Sequence, residues 1–214
     1  MANEDICPPF MEDDEIKAKA EHFRSRFARC RKFPIDIEGL VEADLKIYIQ
    51  PEKGLKSYGN TDAFISSDFR TMHVDEYEYM DERYVNRLRF SMAHEISHII
   101  LHAELYPKQR FNDLDDYINF HRSKSDKAHK WFEYQANNFA GNLLVPALEL
   151  RRFFDEQRLA YLKNHDPVIT VRSAEYLKRV IADAAMEYFG VSENVISRRI
   201  SDEHISSRQL MTGV

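Results

Sequence analysis

Cysteine is nearly absent: Cys7 and Cys30 are the only two in 214 residues and no CxxC pair occurs, so neither a disulfide framework nor a thiolate metal cage can be built. Six glycines and seven prolines are too few for a collagenous or low-complexity chain. No apolar run approaches the roughly 18 to 20 residues that span a bilayer. The opening MANEDICPPF has neither the basic region nor the apolar stretch of a secretory leader. The chain is therefore expected in the cytosol, without membrane association. Basic charge is also in deficit. Thirty Lys and Arg against 36 Asp and Glu leave a net charge of -6, which removes the bulk attraction to phosphate of a dedicated nucleic-acid binder. What remains, 43% hydrophobic and 31% charged, suits one folded domain or one domain with a small appendage.

Along the chain, residues 12 to 32 read as a helix with acids at its start and arginines at its end, which is macrodipole order. Leu45, Ile47 and Ile49 alternate with polar residues, and the segments 62 to 69 and 71 to 79 are rich in β-formers, which predicts a small antiparallel sheet. The pattern turns helical from about Tyr84 to Glu104. Tyr106 to Lys130 reads as a polar connection with weak periodicity, bordering something. Helices are expected over 131 to 145, ended by Pro146, over 147 to 163, over 171 to 189 and after Ser192. The expected division is a domain over 1–165, a C-terminal helical segment over 166–206, and a flexible tail over 207–214.

Chemistry concentrates in RFSMAHEISHIILH, where His94, Glu95 and His98 form an HExxH arrangement. On a helix the two imidazoles lie about 40° apart around the axis and about 6 Å apart along it, so both reach one ion. Neutral imidazoles suit zinc. Glu95 projects about 60° from His98, beside the open face of such a metal, the position of a general base. Phe90, Met92, Ala93, Ile96, Ile99, Ile100 and Leu101 point to nearly every side of this helix, which makes it a central buried one. Three ionisable groups on one stripe of a buried helix are costly unless paired or bound to metal.

A catalytic zinc site needs a third protein ligand, and two residues compete for it. His102 continues the i, i+4 series, but about 12 Å and 80° from His94 it is out of reach of the same ion. Glu133, in WFEYQANNFAGNLLVP, is the better candidate, on a helix whose apolar residues would pack it against the first. Asn137 lies one turn on, where its amide oxygen can accept an N–H from a ligating imidazole and fix the tautomer.

HEISHIILH preceded by RFSMA, followed by ExxANxFAxxLLxP and then by FGVSENVISRRI, resembles the ImmA/IrrE family of metallo-endopeptidases, most strongly over residues 84 to 146. The resemblance implies an α+β, zincin-like metallopeptidase domain, with a small antiparallel sheet packed on a central HExxH helix and a mostly helical C-terminal part. It implies His94, His98 and Glu133 as metal ligands, Glu95 as the catalytic carboxylate, and a helix-turn-helix transcriptional repressor as the protein substrate. The cofactor implied is Zn2+, with Mn2+ the alternative. The family usually has Gly where this chain has Ser97 and Met where it has Val145; neither is a ligand.

On this reading the chain hydrolyses a peptide bond, with Glu95 shuttling the proton and the substrate extended along an outer strand near residues 71 to 79. An oxyanion-stabilising side chain is expected among His121, His129 and Tyr134. Two other classes stand beside it. FGVSENVISRRI has the look of a helix-turn-helix with Gly190 at the turn and Ser192 as cap, which would suit a DNA-binding regulator. Acids at 193, 202 and 203 balance Arg198 and Arg199, so packing on the core or binding a protein partner is the better reading and direct nucleic-acid binding is not expected. The third class is a protein-binding module with a structural or vestigial metal, against which the intact Glu95 argues, because a structural site has no use for a base.

Overall fold

A computed structural model describes residues 7–108, 110–123, 125–164, 171–206 and 210, and shows helices around one three-stranded sheet. In chain order the elements are α1 Asp13–Ser25, α2 Ile37–Gly39, β1 Tyr48–Glu52, α3 Leu55–Gly59, β2 Ala63–Ile65, β3 Thr71–Asp75 and α4 Glu76–Tyr79. They continue with α5 Val85–Leu101, α6 Leu114–Ser123, α7 Asp126–Leu144, α8 Ala147–Asn164, α9 Val171–Phe189 and α10 Glu193–Asp202. The class is α+β, as expected. No helix among the described residues is long and apolar enough to cross a membrane.

Helix α1 opens on Asp13, Asp14 and Glu15 but stops at Ser25, short of residue 32. Phe27 is extended, its ring packs on Phe23 at 5.0 Å, and a 3-10 turn over Ala28–Arg31 buries Cys30. Packing overrides a charge pattern that would have allowed the helix to continue.

The sheet has the order β1-β3-β2 and is mixed, not antiparallel throughout. A short turn joins β2 to β3, which makes that pair antiparallel, with Phe64 opposite His73. The other neighbour, β1, is parallel to β3, with Ile49 opposite Met72, because the chain crosses over through α3 and β2 before β3 is laid down. Alternation identifies a strand and says nothing of its partner. The segment expected to be extended over 71 to 79 ends its strand at Asp75, whose carboxylate accepts the Glu78 amide at 3.1 Å and starts α4. Moreover β3 is central, paired on both sides, so a substrate cannot add there; the edge beside α5 is β2.

Residues 106 to 130 are not the polar connection their composition suggests. They carry α6 and the first turn of α7, and they bury Tyr106, Phe111, Tyr117 and Phe120. Phe111 and Phe120 stack at 4.7 Å, and Tyr106 meets Phe111 edge-on at 5.4 Å. Each such ring contributes roughly 1.5–3 kcal/mol on burial. Four aromatics scattered among charges give no period, so the segment's core role was hidden.

Helices α5 and α7 pack face to face at the centre. Alanines at 93, 136 and 140, all fully buried, let the two backbones approach, while Met92, Ile96, Phe132, Phe139 and Leu143 fill the flanks. Ser125 caps α7 and Val145, pushed out of helical geometry before Pro146, ends it. Ser97 is fully buried and folds its hydroxyl back on the His94 carbonyl, so it is satisfied within its own helix. Gly190 turns α9 into α10 at φ 63°, where a Cβ would collide with the Arg89 guanidinium and Pro34. In α10, Arg199 is 3% exposed; its Nε donates to the Val145 carbonyl at 3.0 Å and Nη2 to Glu203 at 2.9 Å. The expected boundary at 165/166 and the tail over 207–214, Leu210 excepted, lie outside the described residues.

Candidate active site

The one-turn spacing of His94 and His98 on α5 puts their ring centroids 5.0 Å apart, and a ligand atom from each of His94, Glu95 and His98 lies within 4.8 Å of the others. Glu133 reaches the same place from α7: its Oε2 is 3.5 Å from His94 Nε2. One turn further along α7, Asn137 Oδ1 is 3.2 Å from His94 Nδ1. A carbonyl oxygen only accepts, so this contact places the His94 proton on Nδ1 and leaves the Nε2 lone pair on the side of Glu133. The structure thus groups His94, Glu95 and His98 on α5 and brings Glu133 and Asn137 from α7 to His94, while Glu133 lies outside the group whose ligand atoms all fall within 4.8 Å of one another.

Glu95 is 3% exposed and lies under the edge of the sheet, its Oε2 accepting the Ile65 N–H at 3.0 Å. A cavity of about 230 Å³ opens on the group, lined among others by Asp62, Ala63, His94, Glu95, Tyr117, Glu133 and Asn137. It shares Asp62, Phe90, Ser91 and Asn137 with a larger cavity of about 480 Å³ that runs toward α10. Burial opposes ionisation of Asp62, but hydrogen bonds from Arg87 and Lys56 outweigh it and hold the carboxyl below its ordinary range. No lysine or arginine is among the described residues lining the smaller cavity. The His94 imidazole and the Glu95 and Glu133 carboxylates on its wall, with His98 buried directly beside them, fit a divalent ion of the zinc type.

His102 points elsewhere. Its Nδ1 is 2.7 Å from His98 Nδ1 and its Nε2 2.9 Å from Gln135 Oε1, so it stands behind His98, away from the cavity. Of the oxyanion candidates, His129 Nδ1 lies 4.0 Å from Glu133 Oε1, and the Tyr134 hydroxyl donates to Asp13 on α1. The side chain of His121 lies outside the described residues. The phenol on the cavity wall is Tyr117, on α6. Burial pushes its pKa well up and the Glu95 and Glu133 carboxylates add to the rise, so it stays an O–H donor. Its ring stacks on Phe64 at 4.5 Å. Sequence reasoning missed Tyr117 because it sits in a segment without period. It also missed Gln135, a lone amide between Glu133 and Asn137 with no motif spacing of its own.

Residues 44–201, more than half of the chain, match the peptidase family described as the IrrE N-terminal-like domain. No curated protein matches the chain.

Proposed function

Because the chain belongs to the IrrE N-terminal-like family of peptidases, we propose that it is a cytoplasmic, zinc-dependent endopeptidase whose substrate is a helix-turn-helix transcriptional repressor. The observation that carries this reading is the meeting of His94 Nε2 and Glu133 Oε2 from two packed helices, beside His98 and Glu95. His94, His98 and Glu133 are the proposed ligands, with Zn2+ the ion and Mn2+ the alternative. The bound ion supplies Lewis-acid polarisation of the scissile carbonyl and a lowered pKa for the attacking water.

The protein's own groups do the rest. Glu95 takes the proton of the attacking water and delivers it to the leaving amine. Asn137 holds the His94 ring in register. Tyr117, in place of the side chains expected at 121, 129 or 134, donates its phenolic hydrogen to the carbonyl oxygen as negative charge grows there. The substrate lies extended along β2, with the stretch from Asn60 to Ala63 forming the cavity rim. The identity of the substrate rests on the resemblance to repressor-cutting peptidases. The burial of Arg199 supports this reading over a DNA-binding regulator, since a guanidinium held by Val145 and Glu203 is not offered to phosphates.

The test is incubation of the purified protein with a small helix-turn-helix repressor, with zinc, with chelator, and with chelator followed by excess zinc. Cleavage that stops and returns with the ion supports the proposal. An intact repressor in every arm, or cleavage indifferent to chelator, defeats it.

A further inference from the structure

Behind the cavity, four residues from three parts of the chain form one hydrogen-bonded line. The Pro9 carbonyl accepts from Gln135 Nε2 at 2.7 Å, Gln135 Oε1 is 2.9 Å from His102 Nε2, and His102 Nδ1 is 2.7 Å from His98 Nδ1. Gln135 is fully buried, His102 is 1% exposed and His98 2%. The segment ahead of α1 is seated beside α7: Met11 is 6% exposed, and Phe10 meets Trp131 edge-on at 5.5 Å.

The line has a direction, and each step follows from the one before. A backbone carbonyl has no hydrogen to give, so the Gln135 atom facing Pro9 must be the amide nitrogen. The amide oxygen then faces His102, which must present N–H from Nε2. A neutral His102 has its remaining nitrogen, Nδ1, as an acceptor. A charged one would donate from both nitrogens and bury a cation among the rings of Tyr106 and Phe132, a cost that the neutral ring avoids. His98 therefore donates from Nδ1, and its lone pair is on Nε2, the nitrogen left to join His94 and Glu95. Free histidine in water prefers the opposite tautomer, with the proton on Nε2.

We propose that the Pro9 carbonyl, acting through Gln135 and His102, sets the tautomer of His98 and so turns its Nε2 lone pair toward His94 and Glu95. Gln135 and His102 are positioning residues, and the segment ahead of α1 is part of the apparatus that prepares the site. His94 is prepared separately, by Asn137, so the two imidazoles are set by two independent hydrogen bonds, one to α7 and one to His102. The consequence for metal affinity rests on His98 being a ligand. The tautomer itself does not.

The experiment is nitrogen-15 NMR of the imidazoles in the purified full chain at neutral pH, without metal and after zinc is added. The proposal expects His98 protonated on Nδ1 and His102 on Nε2 in both states, with a scalar coupling across the hydrogen bond between the two Nδ1 atoms. A proton on His98 Nε2, or on His102 Nδ1, overturns it. Zinc that leaves a correctly protonated His98 unperturbed would defeat the ligand assignment while leaving the tautomer chain standing. Two variants add a second measurement. His102→Gln keeps an acceptor for His98 and a donor for Gln135, whereas His102→Leu fills the space and does neither. Zinc affinity, read by competition with a chelator, should fall about 10- to 100-fold in the leucine variant and be largely kept in the glutamine variant. Leucine serving as well as glutamine would reduce His102 to packing.

Discussion

The backbone N–H of Ile65, on the edge strand β2, donates to Glu95 Oε2 at 3.0 Å, tying the carboxylate of the HExxH helix to the sheet. One oxygen of the proposed base is thereby fixed by a rigid donor. The strand along which a substrate would lie and the group that would handle its proton share a hydrogen bond, so displacement of one is felt by the other.

Glu95→Gln should keep this bond, because the amide oxygen still accepts from Ile65, and should keep metal and fold. Cleavage should drop by about 10²- to 10⁴-fold, since a neutral amide does not take the proton of water. Metal content and single-turnover cleavage measured on the same preparation decide it, and a variant that cuts at the wild-type rate removes Glu95 from the mechanism.

Glu133→Ala should lose most of its metal at zinc concentrations that saturate the wild type, while His102→Ala should still fill at high zinc, because Glu133 approaches His94 Nε2 from outside α5 whereas His102 stands behind His98. Elemental analysis across a zinc titration separates the two. Full loss in the His102 variant with retention in the Glu133 variant would exchange their roles.

Tyr117→Phe should leave the melting temperature almost unchanged, since the ring keeps its stack on Phe64. It should lower kcat by about 10²- to 10³-fold with little change in KM, the signature of a donor used in the transition state. An effect confined to KM would make Tyr117 a substrate contact only.

Glu203 joins α10 to α1: it receives Lys17 Nζ and Arg199 Nη2, each at 2.9 Å. Burial opposes its ionisation, but Lys17 and Arg199 win and hold its pKa below the ordinary glutamate range. A lowered folded-state value means that its contribution is complete above the unfolded value and lost as pH falls through the folded one. Glu203→Gln should therefore cost roughly 2–3 kcal/mol at neutral pH, allowing for the half-exposed Lys17. The difference from wild type should shrink as the acid range is entered. Thermal or urea unfolding from pH 7 downward measures it; a constant difference across that range would mean the carboxylate charge is not what holds the helices together.

The neighbourhood of His94 and His98 on α5, and of Glu133 and Asn137 on α7, was readable from the sequence because a helix repeats every 3.6 residues; that the two stripes face each other was expected from the apolar residues around them. The α+β class, the central buried α5 and the end of α7 before Pro146 were readable for the same local reason. Tertiary structure decided what local pattern cannot encode. It made β1 parallel to β3 through a crossover, which moved the open edge from β3 to β2. It drew Tyr106, Phe111, Tyr117 and Phe120 out of a charged segment into the core, where burial of large rings outweighs the absence of a period. It also turned His102, the obvious third member of an i, i+4 series, to the back of His98, where a carbonyl 126 positions from Gln135 fixes the direction of the chain. Hydrogen-bond direction depends on which groups meet in space, and residues so far apart in sequence meet only when the fold has formed.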